Sequence, residues 1–421
     1  MPPPPPPTPT HTLRTHSAAL TSLFFSSDNE RLYAGDASGV VSVTSTRTLR
    51  PIARWKAHGD SVLGVEEWET TKQGKARRIV THGRDNKLHV WTLPEDNAEK
   101  LREAAMQPDL PDPELLHSLD VNALNYCRFS LMSLDPSQSI EEEAFVAVPN
   151  LVESSLADVW ALPTLTRPHA AIGKHNSHAT HTKVVDGRGL NALGIIMSLH
   201  LFVHAPSSQL RLLCGYENGS VTLWGFDGVG TGGEDWSETL KGNIGEKGNW
   251  LGRTSIEGVG WEGLLTVKQH VESVMAMSVT RDNTLAFTVS ADHLIGRYDL
   301  TRAGGSEDVT TFCTIYRTKH PGNGSIAIRD DGRVCAVGGW DGKVRLYSTK
   351  TLKHLGSLDY HKKNTQTLAF AHSVKAAPEG DSDEEDEDMT KSEKEARGRW
   401  LAAGSQDCRV SLWSLMSFEK T

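Results

Sequence analysis

An all-β, seven-bladed propeller closed by an N-terminal strand, with long insertions between strands, is the fold predicted by this 421-residue chain. Three observations predict it: a unit that recurs seven times, short strand candidates around each unit's turn, and spare strand-like sequence at the start where the last unit runs short. The clearest unit is Thr81-His82-Gly83-Arg84-Asp85-Asn86-Lys87-Leu88-His89-Val90-Trp91. Asp85-Asn86 is turn-forming, Leu88 and Val90 alternate with Lys87 and His89, and Trp91 closes the run. The stretch therefore reads as a strand end, a tight turn and a second strand.

In chain order, paired positions six residues apart fall at Ser38/Thr44, Asp85/Trp91, Ser154/Trp160, Asn218/Trp224, Asp292/Tyr298, Asp341/Tyr347 and Asp407/Trp413. Strand candidates precede them at Arg31–Ala34, Arg78–Thr81, Ala144–Val148, Leu210–Cys214, Leu285–Ser290, Val334–Val337 and Trp400–Ala403. Others lie further upstream, at Leu20–Phe25, Ser61–Glu67, Ala123–Phe129, Val274–Val279 and Gln366–Ala371. Three or more short strands per unit, bounded by turn residues, describe a propeller blade. The first and third units show no acidic residue at the turn position. Length alone would suggest two or three domains, but a propeller uses such a length as one.

The chain stops soon after Trp413, which leaves the last unit without an outer strand. Thr10–Arg14 is expected to supply it, joining the two ends and removing an exposed edge. The expected organisation is a solvated Pro-rich tail over 1–9, including the tract Pro2 to Pro7, and a propeller over 10–417. Within the last blade, 373–398 carries the acidic run Asp381–Asp388 and is expected to be a solvated loop. Ser382, followed by Asp383-Glu384-Glu385, suits an acidophilic kinase.

Composition narrows function by exclusion. With 44 Lys and Arg against 53 Asp and Glu, the formal charge of −9 gives no global basic field, so direct nucleic-acid binding is not expected. The N-terminus lacks the charged and apolar regions of a signal peptide, and no run approaches the ~18 apolar residues of a membrane span. The five cysteines, Cys127, Cys214, Cys313, Cys335 and Cys408, are odd in number and scattered, and Cys335 and Cys408 fall in or beside strand or turn candidates as small apolar fillers, so an intracellular protein without disulfides is expected.

Surplus length marks the insertions. Pro94–Pro113 contains a helical candidate, Ala98–Met106, and Pro163–Asn191 carries His169, His175, His178 and His181. His175-x-x-His178-x-x-His181 has no Cys or carboxylate at ligand spacing, which argues against a metal. Phe226–Gly263 is Gly-rich without a phosphate-loop pattern, so no nucleotide cofactor is expected. Its Trp236, Trp250 and Trp261 must bury themselves against the propeller's flank or in a partner, and are the candidate partner-binding residues.

The repeats resemble the WD40 family, whose units begin near Gly-His and end in Trp-Asp. The matching histidines are His16, His58, His270, His320 and His361. That resemblance implies a buried chain of His361, Ser405, Asp407 and Trp413, with Asp407 accepting from the His361 ring and turn amides and the Trp413 N–H closing through Ser405. Asp85 with Trp91, Asp292 and Asp341 would serve likewise, as structural rather than catalytic residues.

The Pro-rich start, the Thr81–Trp91 unit, Gly215-Tyr216-Glu217-Asn218-Gly219 and Gly338-Gly339-Trp340-Asp341-Gly342-Lys343-Val344-Arg345 are similar to fungal WD-repeat subunits of the ASTRA complex. The resemblance implies a noncatalytic nuclear scaffold without cofactor, metal or small-molecule substrate. Its partners would be ASTRA subunits and the co-chaperone that matures phosphatidylinositol-3-kinase-related kinases, in an assembly linked to chromatin remodelling. A second reading is a substrate receptor of a cullin-type ubiquitin ligase. Such receptors show Trp-Asp-x-Arg at a blade end, whereas Tyr298-Asp299-Leu300-Thr301-Arg302 places its Arg one position late. An enzyme with its site at the propeller axis is a third, but no nucleophile–base or carboxylate pair recurs there in sequence.

Overall fold

The computed structural model describes residues 7–68, 77–93, 110, 112–122, 124–134, 143–174, 193–228, 253–302, 312–373 and 391–416. Its described strands form seven four-stranded antiparallel sheets, and the chain is a seven-bladed β-propeller. After the short strand β1 (His11–Leu13), blade one runs β2 (Leu20–Phe25), β3 (Arg31–Asp36), β4 (Val40–Ser45) and β5 (Pro51–Lys56). Blade two is β6 (Val62–Trp68), β7 (Arg77–Gly83), β8 (Lys87–Leu93) and β9 (Glu114–Asp120).

Blade three comprises β10 (Ser130–Ser133), β11 (Ala144–Pro149), β12 (Ala157–Leu162) and β13 (Thr166–Ile172). In blade four, β14 (Ile196–His204), β15 (Gln209–Tyr216) and β16 (Ser220–Phe226) are followed by β17 (Trp261–Lys268). Blade five has β18 (Val274–Val279), β19 (Leu285–Ser290), β20 (Leu294–Asp299) and β21 (Cys313–Arg317). Blade six has β22 (Asn323–Ile328), β23 (Val334–Gly339), β24 (Lys343–Ser348) and β25 (His354–Asp359). Blade seven has β26 (Thr365–Phe370), β27 (Trp400–Ser405) and β28 (Val410–Ser414), with the helix α1 (Lys391–Arg397) ahead of β27.

Two compact units divide the chain, one of residues 1–119 and 320–421 and one of residues 120–319. In the first, apolar side chains of successive blades interlock. Tyr33, Val41 and Trp55 of blade one pack with Val62, Ile79 and Trp91 of blade two, and Leu13, Leu20 and Phe25 pack with Val410 and Leu412 of blade seven. In the second, Val159 and Ile172 of blade three join Leu212, Trp224 and Trp261 of blade four, and Leu213 and Leu223 meet Val274 and Tyr298 of blade five. Such packing covers both faces of the second strand in many blades, so β3, β11 and β23 are buried at every residue. This is why they read as continuous apolar or small runs rather than as alternating ones.

The N-terminal strand completes blade seven, in the order β1-β28-β27-β26. His11, Thr12 and Leu13 pair with Leu412, Ser411 and Val410, and the Thr10 amide donates to the Leu412 carbonyl at 2.8 Å. All five cysteines are free thiols. Among the described residues no helix is long and apolar enough to cross a membrane.

Several expected boundaries move. The inner strand of blade three is Ser130–Ser133, not Ala123–Phe129. Asn122 and Asn125 divert the earlier stretch into a loop by bonding backbone groups: Asn122 Nδ2 donates to the Asn150 carbonyl at 2.7 Å and Asn125 Nδ2 to the Ile196 carbonyl at 2.6 Å. The insertions expected at Pro163–Asn191 and Phe226–Gly263 contain an outer strand, β13, and the start of another, β17. Within 373–398, residues Lys391–Arg397 are helical. The helical candidate Ala98–Met106, the acidic run Asp381–Asp388 and the histidines at 175, 178 and 181 lie outside the described residues.

Candidate functional site

The His–Asp pairs are the chemically richest positions, and four blades build them alike. Where the chain enters a blade, a buried histidine turns its Nδ1 toward a carboxylate in the turn between second and third strands. His16 lies 2.7 Å from Asp36, His58 3.0 Å from Asp85, His270 3.1 Å from Asp292 and His361 2.9 Å from Asp407. The carboxylates also accept from backbone amides: Gly59 to Asp85 at 2.7 Å, Val271 and Leu294 to Asp292 at 3.0 and 2.8 Å, and Arg409 to Asp407 at 3.2 Å. Each carboxylate thus fixes its own turn and staples it to the incoming loop.

The other ring nitrogen, Nε2, faces a hydroxyl at 2.8 Å in all four: Ser42, Thr81, Thr288 and Ser411. With Nδ1–H donating to the carboxylate, Nε2 accepts from this hydroxyl, and in blades two and seven the hydroxyl accepts in turn from an indole N–H. Trp91 donates to Thr81 at 2.8 Å and Trp413 to Ser411 at 2.9 Å. In blade seven the bridging hydroxyl is therefore Ser411, and not the Ser405 expected from the family resemblance. Ser405 Oγ instead donates to the Lys363 carbonyl at 3.0 Å and accepts from the Asp407 amide at 3.3 Å.

The hydroxyl moves between blades along a simple rule. Ala34 pairs with Ser42, Thr81 with His89, Thr288 with Gly296 and Ala403 with Ser411. The serines of blades one and seven and the threonines of blades two and five thus occupy opposite members of one cross-strand pair. Either strand can deliver the oxygen. Ser411→Ala is expected to destabilise by ~1–3 kcal/mol through two lost partners, and adding Ala403→Ser to recover at least about half. Urea unfolding of the four-variant cycle checks this: a double variant no more stable than Ser411→Ala would show that only β28 can supply the group.

Three blades depart from the pattern. In blade six Asp341 is taken by Arg345, whose Nη2 lies 2.5 Å away, and His320 is exposed rather than part of a buried chain. Blade four has Asn218 in the turn, accepting from the Ser220 amide at 2.9 Å, and Trp224 Nε1 donates to Tyr216 OH at 3.3 Å. Blade three places a buried carboxylate inside β12: Asp158 accepts from Asn150 at 2.9 Å and from the Ala171 amide at 2.8 Å. Blade one does have an acidic residue, Asp36, two positions before the one inspected in sequence. The sequence signal for it is His16 at the blade entry, the counterpart of His58, His270 and His361.

These groups are poorly placed for proton-transfer chemistry. Burial pushes the His58 imidazole down to about 4, against the opposing pull of Asp85, and holds His82 at about 3 and His169 at about 4. They are neutral in the fold at neutral pH. Their folded values lie below the ordinary 6.5, so the unfolded chain binds more protons between pH 6.5 and about 3 to 4. Stability is thus full above 6.5 and is lost as pH falls through that window. At pH 5 each should cost ~1–2 kcal/mol, so the melting temperature should drop steadily from pH 7 to pH 5. A flat profile would contradict burial of the neutral forms.

His58, Asp85 and His89 are the one His/Asp group among the described residues whose ligand atoms gather, within 4.8 Å of one another. The two rings are stacked, with centroids 4.8 Å apart and planes only 13° from parallel. In-plane lone pairs of parallel rings do not converge on one ion, and both His58 nitrogens are already hydrogen-bonded. The cluster is a packing device.

Of the candidate partner-binding tryptophans, Trp236 and Trp250 lie outside the described residues. Trp261 opens β17 and is 3% exposed. It packs against Phe226 and, at 89°, against His169, and its Nε1 donates to His169 Nδ1 at 3.3 Å. Trp261 is core, and is not available as a partner anchor. The alternation Trp261, Gly263, Leu265, Val267 could have shown the strand.

Comparisons with known proteins agree over nearly the whole chain. A family model described as ASTRA-associated protein 1 matches residues 9–409. ASTRA-associated protein 1 of Verticillium alfalfae is 34% identical, over 96% of this chain and 91% of the relative. That of Penicillium rubens is 31% identical over 96% of each chain. The guanine nucleotide-binding protein subunit beta-like protein 1 of Mus musculus is 25% identical, over 96% of this chain and 94% of its own length.

Proposed function

Because the chain belongs to the ASTRA-associated protein 1 family, we propose that it is a noncatalytic scaffold subunit of the ASTRA complex, acting in the nucleus. Its partners in this reading are the other ASTRA subunits and the co-chaperone that matures phosphatidylinositol-3-kinase-related kinases, which would tie it to chromatin remodelling. The observation that carries the reading is the match over residues 9–409, which covers blades one to six and reaches into blade seven as far as the turn before β28, and not merely the shared turns. The blades support a scaffold role physically. The histidines and carboxylates an enzyme would need are bound to each other and to turn amides, so removing any one loosens a turn before it touches a substrate.

The cullin-ligase reading gains no support from these relatives. In blade five, Arg302 folds back onto Asp299 with Nε 3.3 Å from the carboxylate rather than standing free at the blade end. Affinity purification of the tagged protein from its own organism, followed by mass spectrometry, tests the proposal. ASTRA subunits are expected in near-stoichiometric amounts. Recovery of cullin adaptors without ASTRA subunits would overturn it.

A further inference from the structure

Blades six and seven meet solvent through a surface whose chemistry differs from that of the chain as a whole. Its base is three interlocked segments: the turn Gly339-Trp340-Asp341-Gly342, the loop His361-Lys362-Lys363-Asn364, and the turn Gln406-Asp407-Cys408-Arg409. Gly342 sits so close to the loop that a Cβ there would fall 2.5 Å from the His361 carbonyl oxygen. Ser405 Oγ donates to the Lys363 carbonyl and the Gln406 amide to the Asn364 carbonyl, each at 3.0 Å. The segments therefore hold one fixed arrangement, and a partner would pay little ordering entropy to use it.

Trp340 stands on this surface with 49% of its area exposed. The corresponding turn positions elsewhere hold Ala37, Arg84, Glu217, Ala291 and Gln406. Among these six turns only this one presents a large aromatic, and the longer blade-three turn, residues 150–156, holds none. The indole rests on a glycine shelf: a Cβ on Gly322 would lie 2.9 Å from its ring, and Gly322 has φ +80°, so no side chain is tolerated beneath it. The Trp340 amide also donates to the Gly322 carbonyl at 2.8 Å. A half-exposed, rigidly seated tryptophan has the form of an interface anchor.

Several exposed cationic side chains surround it. Lys362, Lys363, Arg409 and Arg14 are all exposed, and Tyr360 bonds both Thr12 and Arg409. Of the neighbouring carboxylates, Asp341 is ion-paired with Arg345, and Asp407 is turned inward, bound by the His361 ring and the Arg409 amide with its side chain 15% exposed. A local cationic face on a chain of net charge −9 selects acidic partners by complementarity.

From these observations we infer that the Trp340 face of blades six and seven is a docking site for an acidic, extended protein segment carrying an apolar side chain. The apolar group covers the indole, and Lys362, Lys363 and Arg409 receive the carboxylates. A nucleic acid fits less well, because such binding rests on roughly 6–10 phosphate contacts and the remaining charge of the chain repels a polyanion. The site is independent of which assembly the chain joins.

Fluorescence anisotropy with the full chain tests it, using three labelled probes of twelve units each. One is a peptide of Glu and Asp around a central Leu, one has Lys in place of each acid, and one is single-stranded DNA. Saturable binding of the acidic peptide alone is expected, weakened at least about tenfold by Trp340→Ala and abolished by Lys362→Glu with Lys363→Glu. The two lysines are exposed, so that double variant keeps its melting temperature and decides the matter if Trp340→Ala does not fold. Absence of saturable acidic-peptide binding, binding unchanged in the lysine variant, or tighter binding of the DNA through the same residues would each overturn the inference.

Discussion

Removal of residues 1–16 is expected to cost the molecule most of its stability, whereas removal of residues 1–9 should leave its melting temperature nearly unchanged. Residues 10–13 give blade seven its outer strand through the pairing of β1 with β28, and Leu13 is buried among Leu20, Phe25 and Val410. Losing that burial costs ~2 kcal/mol, and the ladder bonds add ~1 kcal/mol each. The larger deletion also removes His16, which leaves the buried carboxylate of Asp36 without its imidazole partner, a change worth ~3–5 kcal/mol. A middle truncation, starting at Arg14, separates the two contributions because it keeps His16 while exposing the edge of β28. Urea unfolding of the three chains reads the series. Equal midpoints for chains starting at residues 10 and 17 would refute N-terminal closure.

That closure was legible in sequence because Thr10–Arg14, ahead of the first unit, is a strand-like stretch with no unit of its own, and β1 within it pairs with β28. The turns were legible for a related reason. Asp85, Asp292, Asp341 and Asp407 recur six residues before an aromatic, and a turn carboxylate that must satisfy nearby amides cannot drift in position. The same argument explains the failures. Asp36 escaped notice because blade one makes its staple from a residue two positions earlier, with Ser38 filling the expected place and donating to it. Ser411 escaped because the side chains of a cross-strand pair share one face of the sheet, so a hydroxyl on either strand reaches Nε2 and sequence spacing cannot distinguish them. For Trp261 the first of the two expected fates, burial on the propeller, is the one found, but its place in a strand was hidden, since a Gly-rich stretch gives no warning of where an outer strand resumes.

Asp36→Ala is expected to be the most damaging single substitution among the turn residues. Its carboxylate is fully buried and accepts from four donors: the His16 ring at 2.7 Å, the Ser38 amide at 2.9 Å, the Ser38 hydroxyl at 2.6 Å and the Val40 amide at 3.1 Å. Burial alone would raise its pKa, yet the bonds from His16, Ser38 and Val40 outweigh it and hold the carboxyl down to about 2, so they act together on the ionised form. Alanine would strand all four donors. Two of them, the His16 ring and the Ser38 hydroxyl, can turn toward other partners, but the two turn amides are fixed by the backbone, and the loss should amount to ~3–5 kcal/mol. Ser38→Ala removes a single neutral donor and should cost no more than ~1 kcal/mol, while Asp36→Asn keeps one acceptor oxygen and should fall between the two. Denaturant unfolding of the three variants orders them. If Asp36→Ala were no worse than Ser38→Ala, the carboxylate would not be what joins the blade-one turn to the His16 loop, and the staple reading of all four His–Asp pairs would fail with it.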